Sequence, residues 1–139
     1  MKATLHCDMN IWMETAEGPL LGRGRMRLLE LVNEKGSLKQ AAAAMGMSYR
    51  AAWGKIKESE AAWGAPLLEK QGSNRRGFQL NPRGLELLTL YRDWLEDVKA
   101  YAGKTAQKCF EKYFEVEMLP ENTLHHGDIR HTRKRRARS

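Results

Sequence analysis

Cysteine is scarce. Cys7 and Cys109 are the two in 139 residues, and no Cys-x-x-Cys occurs. That spacing argues against a disulfide scaffold and a cysteine zinc site, so two reduced thiols in an intracellular protein are expected. Long apolar runs are missing too, and nothing approaches the roughly 18 residues a membrane span needs. The opening "MKATLHCDMN" has no apolar signal-peptide core, so a cytoplasmic protein is expected. Glycine-rich phosphate loops are absent, because "GRGRM" is not followed by Lys-Ser/Thr. His125, His126 and His131 lack a compact ligand spacing, and no metal site is predicted from them. No nucleophile–base–acid set stands out, and Glu58 and Glu60 read as helix-surface charges. The expectation is a protein that is not an enzyme and uses no cofactor.

What the sequence does have is cation, unevenly placed. Lys and Arg number 24 against 17 Asp and Glu, giving a formal charge of +7. The last ten residues, "RHTRKRRARS", hold six of those cations and no acid, and Asp128 lies just before them. Without them, residues 1–127 carry 18 cations against 16 acids. A nearly neutral body with a strongly basic tail suits nucleic acid, an acidic partner or a membrane surface. The reading is a folded domain over 1–118 and a basic, disordered tail over 119–139.

In residues 4–13, Leu5, Cys7, Met9, Ile11 and Met13 alternate with His6, Asp8, Asn10 and Trp12, a period-two pattern that predicts one strand. "TAEGPLLG" follows as a loop. A helix is predicted over 24–35, with Leu28, Leu29 and Val32 on one face and Gly36 ending it. Ser37-Leu38-Lys39-Gln40 has capping-box spacing, so a helix starts at 38 and runs to 45, where Gly46 supplies a left-handed stop. Ser48 caps again, and a further helix runs from 49 to about 63. Tyr49, Trp53, Ile56 and Trp63 fall near one of its faces; Arg50, Gly54 and Lys57 fall on another.

Leu67–Gln71 and Gly77–Leu80 read as two short strands joined by the polar tip "GSNRR". Asn81-Pro82 then opens a long helix. Leu88, Tyr91, Leu95, Val98 and Ala102 form its apolar stripe, and a break is allowed at Gly103. Cys109, Phe110, Tyr113 and Phe114 continue an apolar face after it.

Two short helices joined by a tight glycine turn cross steeply, as in a helix-turn-helix. Ala41 and Ala42 are small where two helices approach closely. Trp53 and Ile56 are bulky where the second helix anchors. Ala51 and Gly54 are small on its outer face, with Arg50 and Lys55 beside them. Helix, helix-turn-helix, hairpin with a basic tip, then helix is the winged-helix order. The expected fold class is mainly α with a small β component: a winged helix-turn-helix with an N-terminal strand and a long C-terminal dimerisation helix.

Within this frame "GSLKQAAAAMGMSYRAAW", followed by "GAPLLEKQGSNRRGFQLNPRGLELLTLYRDW", resembles the N-terminal DNA-binding domain of the ModE family of molybdate-responsive transcriptional regulators. These domains are LysR-like winged helices. Met-Gly-Met-Ser-Tyr-Arg-x-Ala-Trp at 45–53 and Leu-x-Pro-x-Gly at 80–84 carry the likeness, which covers roughly residues 4–115. It implies a DNA-reading helix beginning with Ser48, Tyr49 and Arg50, and dimerisation through the N-terminal region and the long helix. Full-length members add β-barrel domains that bind molybdate. No strand-rich segment is expected after residue 115, so the resemblance is to a short member that does not itself sense molybdate. The wing also lacks the glycine-rich run of many relatives.

The expected partner is double-stranded DNA, bound by a homodimer on an imperfect palindrome. The DNA-contacting candidates are Ser37, Lys39, Gln40, Ser48, Tyr49, Arg50, Lys55, Arg75 and Arg76; Leu88, Tyr91, Leu95 and Val98 are the dimerisation candidates. Two competing readings are a winged-helix protein-interaction module and a sequence-blind DNA-coating protein led by the basic tail.

Overall fold

The structure is a computed structural model that describes residues 1–71 and 77–120. In chain order the elements are β1 (Ala3–Cys7), β2 (Met13–Thr15), β3 (Gly18–Leu21), α1 (Arg23–Lys35), α2 (Leu38–Ala44), α3 (Tyr49–Trp63), β4 (Leu68–Lys70), β5 (Phe78–Leu80), α4 (Pro82–Phe110) and β6 (Phe114–Met118). They form two compact units. The first is Ile11–Val98; the second joins Met1–Asn10 to the chain from Lys99 onward. The tip residues Arg75 and Arg76, and the tail from residue 121 with its three histidines, lie outside the described residues.

The core of the first unit is aliphatic. Met26, Leu28, Leu29, Leu31 and Val32 of α1 pack with Leu38, Ala41 and Ala42 of α2, Ala52 and Ile56 of α3, Leu67, Leu68, Leu80, and Leu87, Leu88, Tyr91 and Leu95 of α4. Close approach is built in at Gly84, where an added Cβ would stand 2.5 Å from the Leu67 carbonyl oxygen. Asn81 caps α4, its Oδ1 accepting the Gly84 N–H at 2.8 Å. The Tyr91 hydroxyl donates to the Ile11 carbonyl at 2.7 Å, and Arg92 pairs with the buried Glu30 at 2.8 Å.

The local signals around the two short helices act as expected. Ser37 Oγ accepts the Gln40 N–H at 3.1 Å, and Ser48 Oγ accepts the Ala51 N–H at 3.0 Å. Only the serine half of the first capping box forms among the described residues. Gln40 is exposed and its side chain does not reach back. Gly36 (φ 77°), Gly46 (φ 66°) and Gly64 (φ 86°) turn the chain in left-handed geometry after α1, α2 and α3.

Four expectations need correction. Residues 4–13 are not one strand. Asp8 ends β1, its carboxylate accepting the Met9 N–H at 2.8 Å and lying 3.2 Å from Lys99 Nζ. Met13 then starts a separate strand and is exposed. "TAEGPLLG" is not simply a loop: Gly18–Leu21 is a strand paired antiparallel with β2, because Leu20 and Leu21 have core to enter. The long helix does not break at Gly103. That glycine fits against Met118, whose Cγ would lie 2.8 Å from an added Cβ. Phe114 does not extend a helical face; it opens β6.

In the second unit β1 and β6 pair in parallel, Ala3 beside Phe114 through to Cys7 beside Met118. Two strands alone make little core, and polar fastenings supplement them. The largely buried Lys99 donates to the Leu119 carbonyl at 3.0 Å and reaches Asp8. Gln107 Oε1 accepts the Val116 N–H at 2.8 Å, and the Leu119 N–H donates to the Cys7 carbonyl at 2.8 Å.

Candidate nucleic-acid interface

Helix α3 buries Ala52, Ile56, Ser59 and Ala62 and is gripped from behind. Arg25 of α1 donates to the Lys55 carbonyl oxygen, donates to Ser59 Oγ at 3.2 Å, and lies 3.5 Å from Glu58. At its far end Glu60 accepts the Leu67 N–H at 2.7 Å and pairs with Lys57 at 2.9 Å. Helical periodicity therefore turns Arg50, Ala51, Gly54, Lys57 and Glu58 to solvent. A Cβ at Gly54 would meet nothing within 4 Å, so this face is lean.

The guanidinium of Arg50 has no hydrogen bond or ion pair among the described residues, and neither has the ammonium of Lys39. Both are exposed. Their charge faces water in the free chain and is available to phosphate or a base edge. Ser48, Tyr49 and Gln40 are exposed as well, while Ser37 is half-buried. Both serine oxygens already accept a helix N–H, which leaves each hydroxyl hydrogen to donate. Lys55 is half-buried, with its carbonyl held by Arg25, so it sits less openly than Arg50.

Trp53 is half-buried and packs on the core, its ring centroid 4.8 Å from that of Phe78 on β5. Sequence reasoning missed what lies on top of it: Lys57 Nζ stands 4.3 Å from the Trp53 ring centroid, a cation–π contact. The i, i+4 spacing of Trp53 and Lys57 carried that signal. Arg25 was also missed, and no local pattern announces a cation that acts across 30 positions of sequence.

The α4 stripe falls elsewhere than expected. Leu88, Tyr91 and Leu95 are 2%, 2% and 3% exposed, packed into their own core, and Val98 is half-buried. The spacing marked a buried face correctly, but its cover is the same chain. Leu85, Leu90 and Trp94 are the exposed apolar residues on this part of α4. Among the described residues no three His, Cys, Asp or Glu gather as a metal site. No helix among them is long and apolar enough to cross a membrane.

Residues 24–85, from α1 into the start of α4, match the sequence model of the bacterial regulatory helix-turn-helix protein, lysR family. That segment of the chain is similar to a LysR-type helix-turn-helix domain. Such domains are those of DNA-binding transcriptional regulators. A curated relative is the molybdenum transport protein ModE of Azotobacter vinelandii, 33% identical over 82 residues. The match takes in 58% of this chain and 30% of that protein, so the chain spans under a third of the relative's length. Several solved structures resemble it. The DNA-binding domain of CbnR in its DNA complex has a TM-score of 0.51 at 24% identity, covering 64% of this chain and 98% of that one. Full-length CbnR complexed with target DNA has a TM-score of 0.51 at 23% identity, covering 63% and 29%. This likeness supports the winged helix-turn-helix fold.

Proposed function

We propose that the chain is a sequence-specific transcriptional regulator that binds double-stranded DNA as a homodimer, with α3 lying in the major groove. The observation that carries this reading is the outer face of α3. Arg50, with no partner among the described residues, stands beside Ala51 and the open backbone of Gly54, on a helix fixed from behind by Arg25. A bidentate arginine–guanine contact discriminates by about 1–3 kcal/mol. Lys39, Gln40 and Ser37 at the start of α2 and Ser48 at the start of α3 would take phosphates, fixing register.

A dimer belongs to this reading because one small winged domain touches few base pairs. The exposed Leu90 and Trp94 of α4, one turn apart on the same face, offer a partner surface, in place of the stripe buried within the protomer. Two reading helices would then enter successive major grooves, roughly 34 Å apart.

Selection of duplexes from a random pool, followed by sequencing, tests the reading. An enriched imperfect palindrome is expected, and Arg50→Ala should abolish the enrichment. Retention of DNA without any preferred site would point to sequence-blind coating instead. Absence of retention would point to a protein-binding module. Light scattering at micromolar concentration should give a dimer for the native chain and a monomer for Leu90→Glu.

A further inference from the structure

An aromatic stack stands on the flank of α3, and packing accounts for only its lower layers. Tyr49 is 45% exposed, and its ring lies over Trp53 with centroids 6.3 Å apart and planes 17° from parallel. Trp53 is held in turn by Phe78, packed against its ring, and by Lys57, whose ammonium stands over it. This offset stack keeps the Tyr49 ring from folding back, at the cost of one exposed aromatic face. Its hydroxyl has no hydrogen-bond partner among the described residues. Tyr49 is also the first residue of α3, and the N-terminal residues of a reading helix are those that meet base edges.

Major-groove edges mostly offer polar groups; thymine alone presents a methyl group, on C5. A rigid ring face with Ala51 and Gly54 on the same helix gains by covering that methyl and gains little over the polar edges. Resting on the reading of α3 as the groove helix, we infer that Tyr49 is a specificity-determining residue that reads a thymine methyl, with Trp53 as its positioning residue.

The test uses the duplex enriched by the native chain, resynthesised with deoxyuridine replacing each thymidine in turn, which removes only the methyl. At one thymine per half-site, uracil should weaken binding about fourfold, the equivalent of one buried carbon. Tyr49→Phe should keep this preference. Tyr49→Ala should bind more weakly and no longer distinguish thymine from uracil. Trp53→Leu should narrow the preference while circular dichroism shows the native helix content. Indifference of the native chain to uracil at every position would overturn the inference, as would equal losses for Tyr49→Phe and Tyr49→Ala, which would assign the contact to the hydroxyl. These results leave DNA reading by α3 standing. Failure to enrich any duplex would remove that reading and this inference together.

Discussion

Helices α2 and α3 start from the same materials and end in opposite roles. Each opens on a capping serine, each is alanine-rich, and Gly46 lies between them. In α2 two of the four alanines face inward: Ala41 and Ala42 are buried with Leu38, while Ala43 and Ala44 are exposed, so small side chains let the helix press against its neighbours. In α3 Ala51 faces water, and burial rests on Ala52, Ile56 and Ser59. Small residues inside permit close helix packing; outside they permit close approach of another molecule. The same residue type thus serves stability in one helix and access in the other, and register against the core decides which.

Substitutions can break this contrast. The largest effect is expected for Leu38→Ala, which empties a fully buried position and should lower unfolding free energy by about 2–5 kcal/mol in urea titration. Overpacking tests the alanines directly. Ala41→Leu should cost about 1–3 kcal/mol, whereas Ala51→Leu should change stability by less than about 0.5 kcal/mol and still weaken binding to the enriched duplex. Equal stability losses would end the distinction between the two helices. Arg25→Met removes the charged donor to the Ser59 hydroxyl and the Lys55 carbonyl, with an expected cost of about 1–3 kcal/mol and weaker DNA binding in a gel-shift titration. Among the destabilising changes, the smallest losses belong to the caps. Ser37→Ala and Ser48→Ala should each cost about 1 kcal/mol, with the loss of site affinity greater for Ser48, because α3 does the reading.

What was legible in the sequence follows the range of the forces involved. Ser37, Gly46 and Ser48 were readable because capping and left-handed geometry are settled within four residues. The apolar stripe of Leu88, Tyr91 and Leu95 was readable as a stripe, but periodicity says that a face is covered and never by what. Asp8 looked like one more polar residue in an alternating strand. It ends that strand because its carboxylate engages Met9 and the distant Lys99. Gly103 looked like a helix breaker. It is retained within α4 because β6 places Met118 against it, a contact no local window contains. For the interface, Arg50, Ala51 and Gly54 could be read from helical spacing alone. The support supplied by Arg25 and Phe78 could not, since both come from elsewhere in the chain.

The pairing of Ala3 with Phe114 spans 111 positions of sequence. Contacts that distant carry a large loop-closure cost and form after local ones. During synthesis the first strand therefore emerges long before its mate exists and waits with both hydrogen-bonding edges open. Refolding should show the same order. Amide hydrogens of Ala3–Cys7 should gain protection from exchange after those of α1 and α3, and exchange should free them first when the native chain breathes.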